Sequence, residues 1–228
     1  MASSPIGTLN EKALHAALKE WYAEPGDKLE VALHGYVIDI VRSDLLVEIQ
    51  TGNFSAIKGK MLDLVARQQV RLVYPVAKEK WIVKLADNGV SRVNRRKSPK
   101  RGSLAHVFRE LVSFPDLLPR ENFALEVLLI QEEELRRYDG TRAWRRRGWV
   151  THERRLLNVV DRRLFHTPES MAALLPEGLP DPFTTSDLAA LMAEPIRLAQ
   201  RMAYCLREMG MIAQVGKRGN SILYTGHL

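Results

Sequence analysis

The chain has 228 residues, 46% of them hydrophobic and 27% charged, a composition that suits a globular protein with one large core or two small ones. No apolar run approaches the roughly 18 residues of a membrane span; the N-terminus lacks the basic start and apolar stretch of a secretory signal, and Cys205 has no second cysteine to pair with, so no membrane insertion and a reducing cytoplasm are expected. The net charge of +7, dominated by arginine, points to a polyanionic partner, because cations that neutralise phosphates gain from counterion release.

In chain order, Leu14, Ala17, Leu18 and Trp21 fall on one face of a helix from about residue 9 to 22, which Pro25-Gly26-Asp27 ends. Three extended segments follow, Leu29–Leu33, Tyr36–Arg42 and Leu45–Gln50, separated by the turn-compatible pairs His34-Gly35 and Ser43-Asp44. Asn53 is placed to cap a helix to about Gln68, with Phe54, Ile57, Met61, Leu64 and Val65 at helical spacing, and Val70–Val76 reads as a buried strand. The order is αβββαβ. A hairpin around Asp87-Asn88-Gly89, a basic loop Arg95–Gly102, a helix from Ser103 and a strand Ala124–Ile130 are expected next.

Between Arg136 and Arg163 lie ten arginines and two tryptophans, Trp144 and Trp149, and a domain junction is expected near residue 150. Beyond it come a helix near His152–Phe165, a proline-containing loop, a helix Asp187–Met192 capped by Thr184, Thr185 or Ser186, and a longer helix from Glu194-Pro195 to about Met209. Met211–Val215 and Ser221–Thr225 flank Gly216–Asn220 as a two-stranded wing.

If Ser43-Asp44 is a two-residue turn, antiparallel pairing sets Asp39 directly opposite Glu48. Opposed Cβ atoms lie roughly 4.5–5.5 Å apart, and two like charges so placed destabilise the pair unless a cation sits between them. Both acids interrupt apolar runs, where burying an isolated charge costs several kcal/mol or forces protonation. The alternative is a solvated strand face carrying Asp39, Glu48 and Gln50. Glu11 precedes the core-facing Leu14 and Leu18 on the first helix; it is either a further site carboxylate or the closing member of a capping box begun by Thr8.

Over residues 9–76 these features resemble the PD-(D/E)XK, or restriction-endonuclease-like, nuclease superfamily. Its αβββαβ core carries an acidic residue on the first helix, an aspartate on the second strand and (D/E)-x-K on the third, and Glu11, Asp39 and Glu48-Ile49-Gln50 fall on those positions. Gln50 departs from the lysine of the pattern; its amide can orient a water or a phosphate but supplies no charge. Lys58 and Lys60 on the following helix could supply the missing cation, or be solvated helix-face lysines. The resemblance implies an α/β fold and a Mg²⁺ or Mn²⁺ ion held by Asp39, Glu48 and the carbonyl of Ile49, with Glu11 contributing to a second ion or through water. It also implies hydrolysis of phosphodiester bonds, with Gln50 positioning the water.

The C-terminal pattern resembles a winged helix-turn-helix domain, implying a nuclease-like domain over residues 1–150 and a separable basic, duplex-binding domain over 151–228. Leu198, Met202, Leu206 and Met209 form its apolar stripe, with Arg197, Gln200, Arg201 and Tyr204 on the remaining surface, suited to base edges, and Lys217 and Arg218 at the wing tip, suited to phosphates. Such modules also serve protein contacts. Arg95, Arg96, Arg145, Arg146 and Arg147, with Trp144 and Trp149, could grip a nucleic-acid backbone and stack bases. The bland readings are a solvated loop for the first run and a hydrophobic domain interface for the tryptophans. DNA is the expected partner; the same runs are compatible with RNA, and a homodimer or partner protein is left open. A catalytically inactive, DNA-binding regulator is the alternative function. The histidines show no metal spacing.

Overall fold

The computed structural model of the protein describes residues 13–86, 91–140 and 147–226. Glu11, Trp144, Arg145, Arg146, the Thr8 capping box and the turn at Asp87-Asn88-Gly89 lie outside the described residues. The helix α1 (Ala13–Tyr22) buries Leu14 and Leu18 of its expected face but leaves Trp21 exposed, and β1 (Lys28–Leu33), β2 (Tyr36–Arg42) and β3 (Leu45–Ile49) form an antiparallel meander. His34 and Gly35 both adopt left-handed backbone (φ 52° and 80°), which a tight hairpin between right-twisted strands requires at its two central positions.

A 3-10 turn at Phe54–Ile57 and α2 (Lys58–Val65) cross over to β4 (Gln69–Leu85), which runs parallel to β3. Asn53 stands at the start of that turn in left-handed backbone and makes no side-chain cap bond to the helix, unlike the cap expected of it. The order αβββαβ is therefore present. The remaining elements are β5 (Arg92–Lys97), α3 (Phe108–Leu111), β6 (Phe123–Tyr138), β7 (Trp149–Phe165), α4 (Pro168–Ala172), α5 (Thr185–Met192), α6 (Ile196–Glu208), β8 (Ile212–Arg218) and β9 (Ser221–Gly226). The large sheet has the order β1-β2-β3-β4-β6-β7, with β5 antiparallel to β4; β8 and β9 form a separate hairpin. The fold is mixed α/β. No described helix is long and apolar enough to cross a membrane.

Two expectations are corrected. The helix proposed near His152–Phe165 is the strand β7, and the basic loop Arg95–Gly102 begins as the strand β5. Both are polar, largely exposed strands at the margin of the sheet, so neither shows the alternation of buried apolar residues by which a strand is recognised. Pairing with β6 and β4 supplies the backbone hydrogen bonds that decide their state.

The chain packs as two compact units, each of three segments: residues 1–26, 75–103 and 128–162, and residues 27–74, 104–127 and 163–228. The expected boundary near residue 150 falls at the start of β7. In the second unit the core is aromatic, with Phe54 stacked on Phe114 at 5.3 Å, edge-on to Tyr74 at 5.0 Å, and Phe114 edge-on to Phe123 at 6.4 Å. There α6 packs on α3 and α5 with Leu198, Met202 and Leu206 buried, and Thr184 caps α5 in a reciprocal box with Asp187.

In the first unit the acid run of β6 is buried: Glu132, Glu133 and Glu134 are each 5% exposed or less. Lys80 reaches both Glu132 (2.8 Å) and Glu134 (3.0 Å), Arg154 closes on Glu132 at 2.6 Å, and Arg95 closes on Glu133 at 2.6 Å. Burial of three carboxylates is tolerable only because each has such cations within contact.

Candidate functional site

The Ser43-Asp44 turn, with Ser43 at φ 51°, sets the register anticipated from sequence: Arg42 faces Leu45, Val41 faces Leu46 and Ile40 faces Val47. The next pair in that register is Asp39 with Glu48. There the ladder opens. The Ile49 N–H donates to Asp39 Oδ2 at 2.8 Å instead of to a main-chain carbonyl of β2, so the aspartate side chain stands where backbone pairing would continue.

Into this opening comes Lys60 from α2. Its ammonium donates to the Val37 carbonyl at 2.6 Å and lies 2.6 Å from Glu48 Oε1. The second contact is an ion pair to a buried carboxylate oxygen. Glu48 is only 6% exposed, which excludes the reading of this strand face as simply solvated at that position; Asp39 is half-buried. Burial first, and the neighbouring Asp39 charge second, push the Glu48 carboxyl up to about 7, against the pull of Lys60. The buried carboxylate thus sits beside one cation and still resists ionisation at neutral pH, as a group does when its surroundings offer too little positive charge.

Gln50 directly follows β3, its N–H bonded to the Val73 carbonyl at 2.9 Å, and its side-chain amide nitrogen is held by the Gly52 and Asn53 carbonyls of the following turn. Lys58 is exposed, on the same helix as Lys60. One residue escaped the sequence reading. The β1–β2 register, Leu29 to Ile40 and Val31 to Ile38, puts Glu30 opposite Asp39, and Glu30 takes left-handed backbone (φ 52°) in mid-strand. The signal was available, since the His34-Gly35 turn fixes that register as Ser43-Asp44 fixes the other. Even so, no group of three or more His, Cys, Asp or Glu is placed to hold a metal among the described residues. The donor set is the carboxylates of Asp39 and Glu48. That set fits Mg²⁺, which proteins commonly hold through one or two carboxylates, leaving the other positions to water and substrate phosphate.

The profile of a family described as "Domain of unknown function (DUF8091)" matches residues 12–166. The chain belongs to the DUF8091 family. It is also 34% identical over 221 residues, 96% of this chain and 86% of the other, to a protein of Treponema pallidum (strain Nichols) described as "Uncharacterized protein". No solved structure matches the chain. The DUF8091 segment contains Asp39, Glu48, Lys60, β5 and β7, while α4 to β9 lie beyond it.

Of the residues expected to meet nucleic acid, Arg197, Gln200, Tyr204 and Lys217 are exposed in the segment beyond the DUF8091 match. Arg201 is half-buried and donates to the Arg109 carbonyl at 2.9 Å, and Arg218 is ion-paired with Asp187 at 2.6 Å. Within the DUF8091 segment, Arg95 and Arg96 are exposed on β5 and Arg147 is exposed just before β7. Trp149 packs edge-on to Tyr138 at 5.7 Å with Lys84 Nζ 4.3 Å from its ring centre, so it is an internal part of the first unit.

Proposed function

We propose that the protein is a divalent-metal-dependent nuclease of PD-(D/E)XK type acting on DNA. The observation that carries this is the opened strand pair, where the Asp39 charge and the Lys60 ammonium both act on the buried Glu48 carboxyl. Asp39 and Glu48, with the Ile49 carbonyl, would hold the ion. When bound, the ion supplies a water of lowered pKa and neutralises charge on the scissile phosphate. The Ile49 N–H fixes the Asp39 carboxylate in place, and Lys60 sets a positive charge beside Glu48, supporting the role that the strand lysine of the motif has elsewhere. Gln50 is tied by its amide nitrogen to the Gly52 turn, which leaves its amide oxygen as the group to position a water. Glu11, outside the described residues, remains a further proposed ligand. The helix-turn-helix α5–α6 with its β8–β9 hairpin supports a winged-helix reading, in which Arg197, Gln200 and Tyr204 face the duplex and Lys217 meets phosphate.

A second reading has one observation in its favour. The Lys60–Glu48 ion pair part-neutralises the acid a metal would need, as in a nuclease-like DNA-binding regulator without activity. Cleavage of plasmid, linear and single-stranded DNA with and without Mg²⁺ separates the two. Activity that disappears in Asp39→Ala and Glu48→Ala, falls at least tenfold in Lys60→Ala and falls less in Gln50→Ala is the expected result. Wild-type protein that cleaves no substrate at any Mg²⁺ or Mn²⁺ concentration, yet binds duplex, establishes the second reading.

A further inference from the structure

The positive charge of the chain is not spread over it. The unit made of residues 1–26, 75–103 and 128–162 holds 20 basic residues against 11 acidic, whereas the other holds 14 against 16. The net +7 therefore belongs entirely to the first unit. Its densest part is Ser91–Arg101, with six cations and no acid, most of it the exposed strand β5.

The register of β5 is informative. Trp81 to Lys97, Ile82 to Arg96, Val83 to Arg95 and Lys84 to Asn94 pair regularly, then Leu85 pairs with Arg92, so Val93 is an inserted residue. Such a bulge re-aims the side chains beyond it. Without it Arg92 would share a face with Arg96; with it Arg92 joins Arg95 and Lys97. All three are held from below. Glu133 is 3.5 Å from Arg92 and 2.6 Å from Arg95, and Glu79 is 2.6 Å from Lys97 and 3.6 Å from Arg101. The Trp81 ring lies under the same row, its centre 5.1 Å from the Arg95 guanidinium and 5.2 Å from the Lys97 ammonium. These contacts orient the cations without hiding them: the side chains of Arg92, Arg95, Lys97 and Arg101 are each 44% exposed or more.

We propose that this face of β5 binds the phosphate backbone of duplex nucleic acid, through Arg92, Arg95, Lys97 and Arg101. Two-residue steps along a strand advance about 6.6–6.8 Å, close to the axial advance of two nucleotides at about 3.4 Å per phosphate on one strand. Covered by two cations, Trp81 is not presented for base stacking, so the contact is with phosphates and carries no sequence preference. This surface goes beyond the cleavage site and acts whether or not that site is catalytic.

The test uses the full chain in EDTA, so that loss of cleavage and loss of binding cannot be confused. Anisotropy is measured on two unrelated 20-base-pair duplexes across a salt series. Arg92→Gln, Arg95→Gln and Lys97→Gln are combined with Glu133→Gln, so that no buried carboxylate is left without its cation. Affinity should fall at least tenfold on both duplexes, and the slope of log K against log salt should fall by about 2–3, since each phosphate contact contributes about 0.9. The charge-matched variant Lys28→Gln with Arg120→Gln should change affinity less than threefold. If the four-site variant does not fold, Lys97→Gln with Arg101→Gln, which removes only cations from the exposed side of Glu79, should still lower affinity at least threefold. Equal losses in the charge-matched control, wild-type affinity in either β5 variant, or binding to phosphatidylserine vesicles but not to duplex would each overturn the proposal.

Discussion

Two buried glutamates are shifted in opposite directions. Glu48, pushed up to about 7 by burial and by Asp39, prefers its protonated form in the fold. Its contribution is thus fully present below its ordinary value of 4.5 and is lost as pH rises through about 7. Glu48→Gln should accordingly make the metal-free protein more stable than wild type at pH 8, by up to about 3 kcal/mol, with the gap closing toward pH 4.5. Urea unfolding at a series of pH values measures it, and a gap that does not vary with pH would contradict the assignment. Glu134 runs the other way. Burial raises it, but hydrogen bonds from Arg136 and Thr151 and the charge of Lys80 overcome that and hold it at about 2. Its stabilisation is present above 4.5 and is lost as pH falls through about 2. Glu134→Gln should cost on the order of 1 kcal/mol at neutral pH, because its partners reach solvent, and nothing near pH 2. The Asp39–Glu48 opposition was legible in sequence because a two-residue turn fixes register by counting. The Lys60 contact was not, since it depends on where α2 lands, and the burial of Glu132-Glu133-Glu134 has no mark in the sequence, because only the tertiary structure brings Lys80, Arg95 and Arg154 to them.

Among the elements, those with buried apolar alternation or a helical stripe were read to within a residue or two: β2, β3, α5 and α6 begin and end near their expected bounds. β5 and β7 were misread because their strand state comes from neighbours and not from their own residues. A polar strand is identified by what it pairs with, and for β5 that information lies 7 to 16 residues away in the chain, from Leu85 with Arg92 to Trp81 with Lys97. The segment after β5 shows a different constraint. A Cβ at Gly102 would stand 2.6 Å from the Ala77 carbonyl oxygen and 2.6 Å from Val76 Cγ1, while the Gly102 N–H donates to that same carbonyl at 2.9 Å. The backbone cannot yield without losing the bond. Gly102→Ala should destabilise the protein by about 1–3 kcal/mol, measured by thermal or urea unfolding; an unchanged midpoint would show that the segment moves freely.

For the molecule as a whole, neither unit is a continuous stretch of sequence, and each takes three separate segments. A fragment of residues 1–150 would strip β7 from β6 and remove α6 from α3, exposing Phe108 and Leu111. It should show no cooperative unfolding transition by circular dichroism, and a sharp transition in that fragment would establish residues 1–150 as a self-sufficient domain. The family profile ends at residue 166, at the close of β7, while the Treponema relative extends across 96% of the chain. The placing of β4 between β3 and β6 also sets an order of events during synthesis. β4 is complete at Leu85, but the strand that covers its other edge runs from Phe123 to Tyr138. At about 5–20 residues per second on the ribosome, the edge carrying Val70, Leu72 and Val73 waits on the order of several seconds for its partner. During that interval it is an open apolar strand of the kind that pairs with other chains, so nascent chains halted between residues 85 and 123 are the form of this protein most exposed to aggregation.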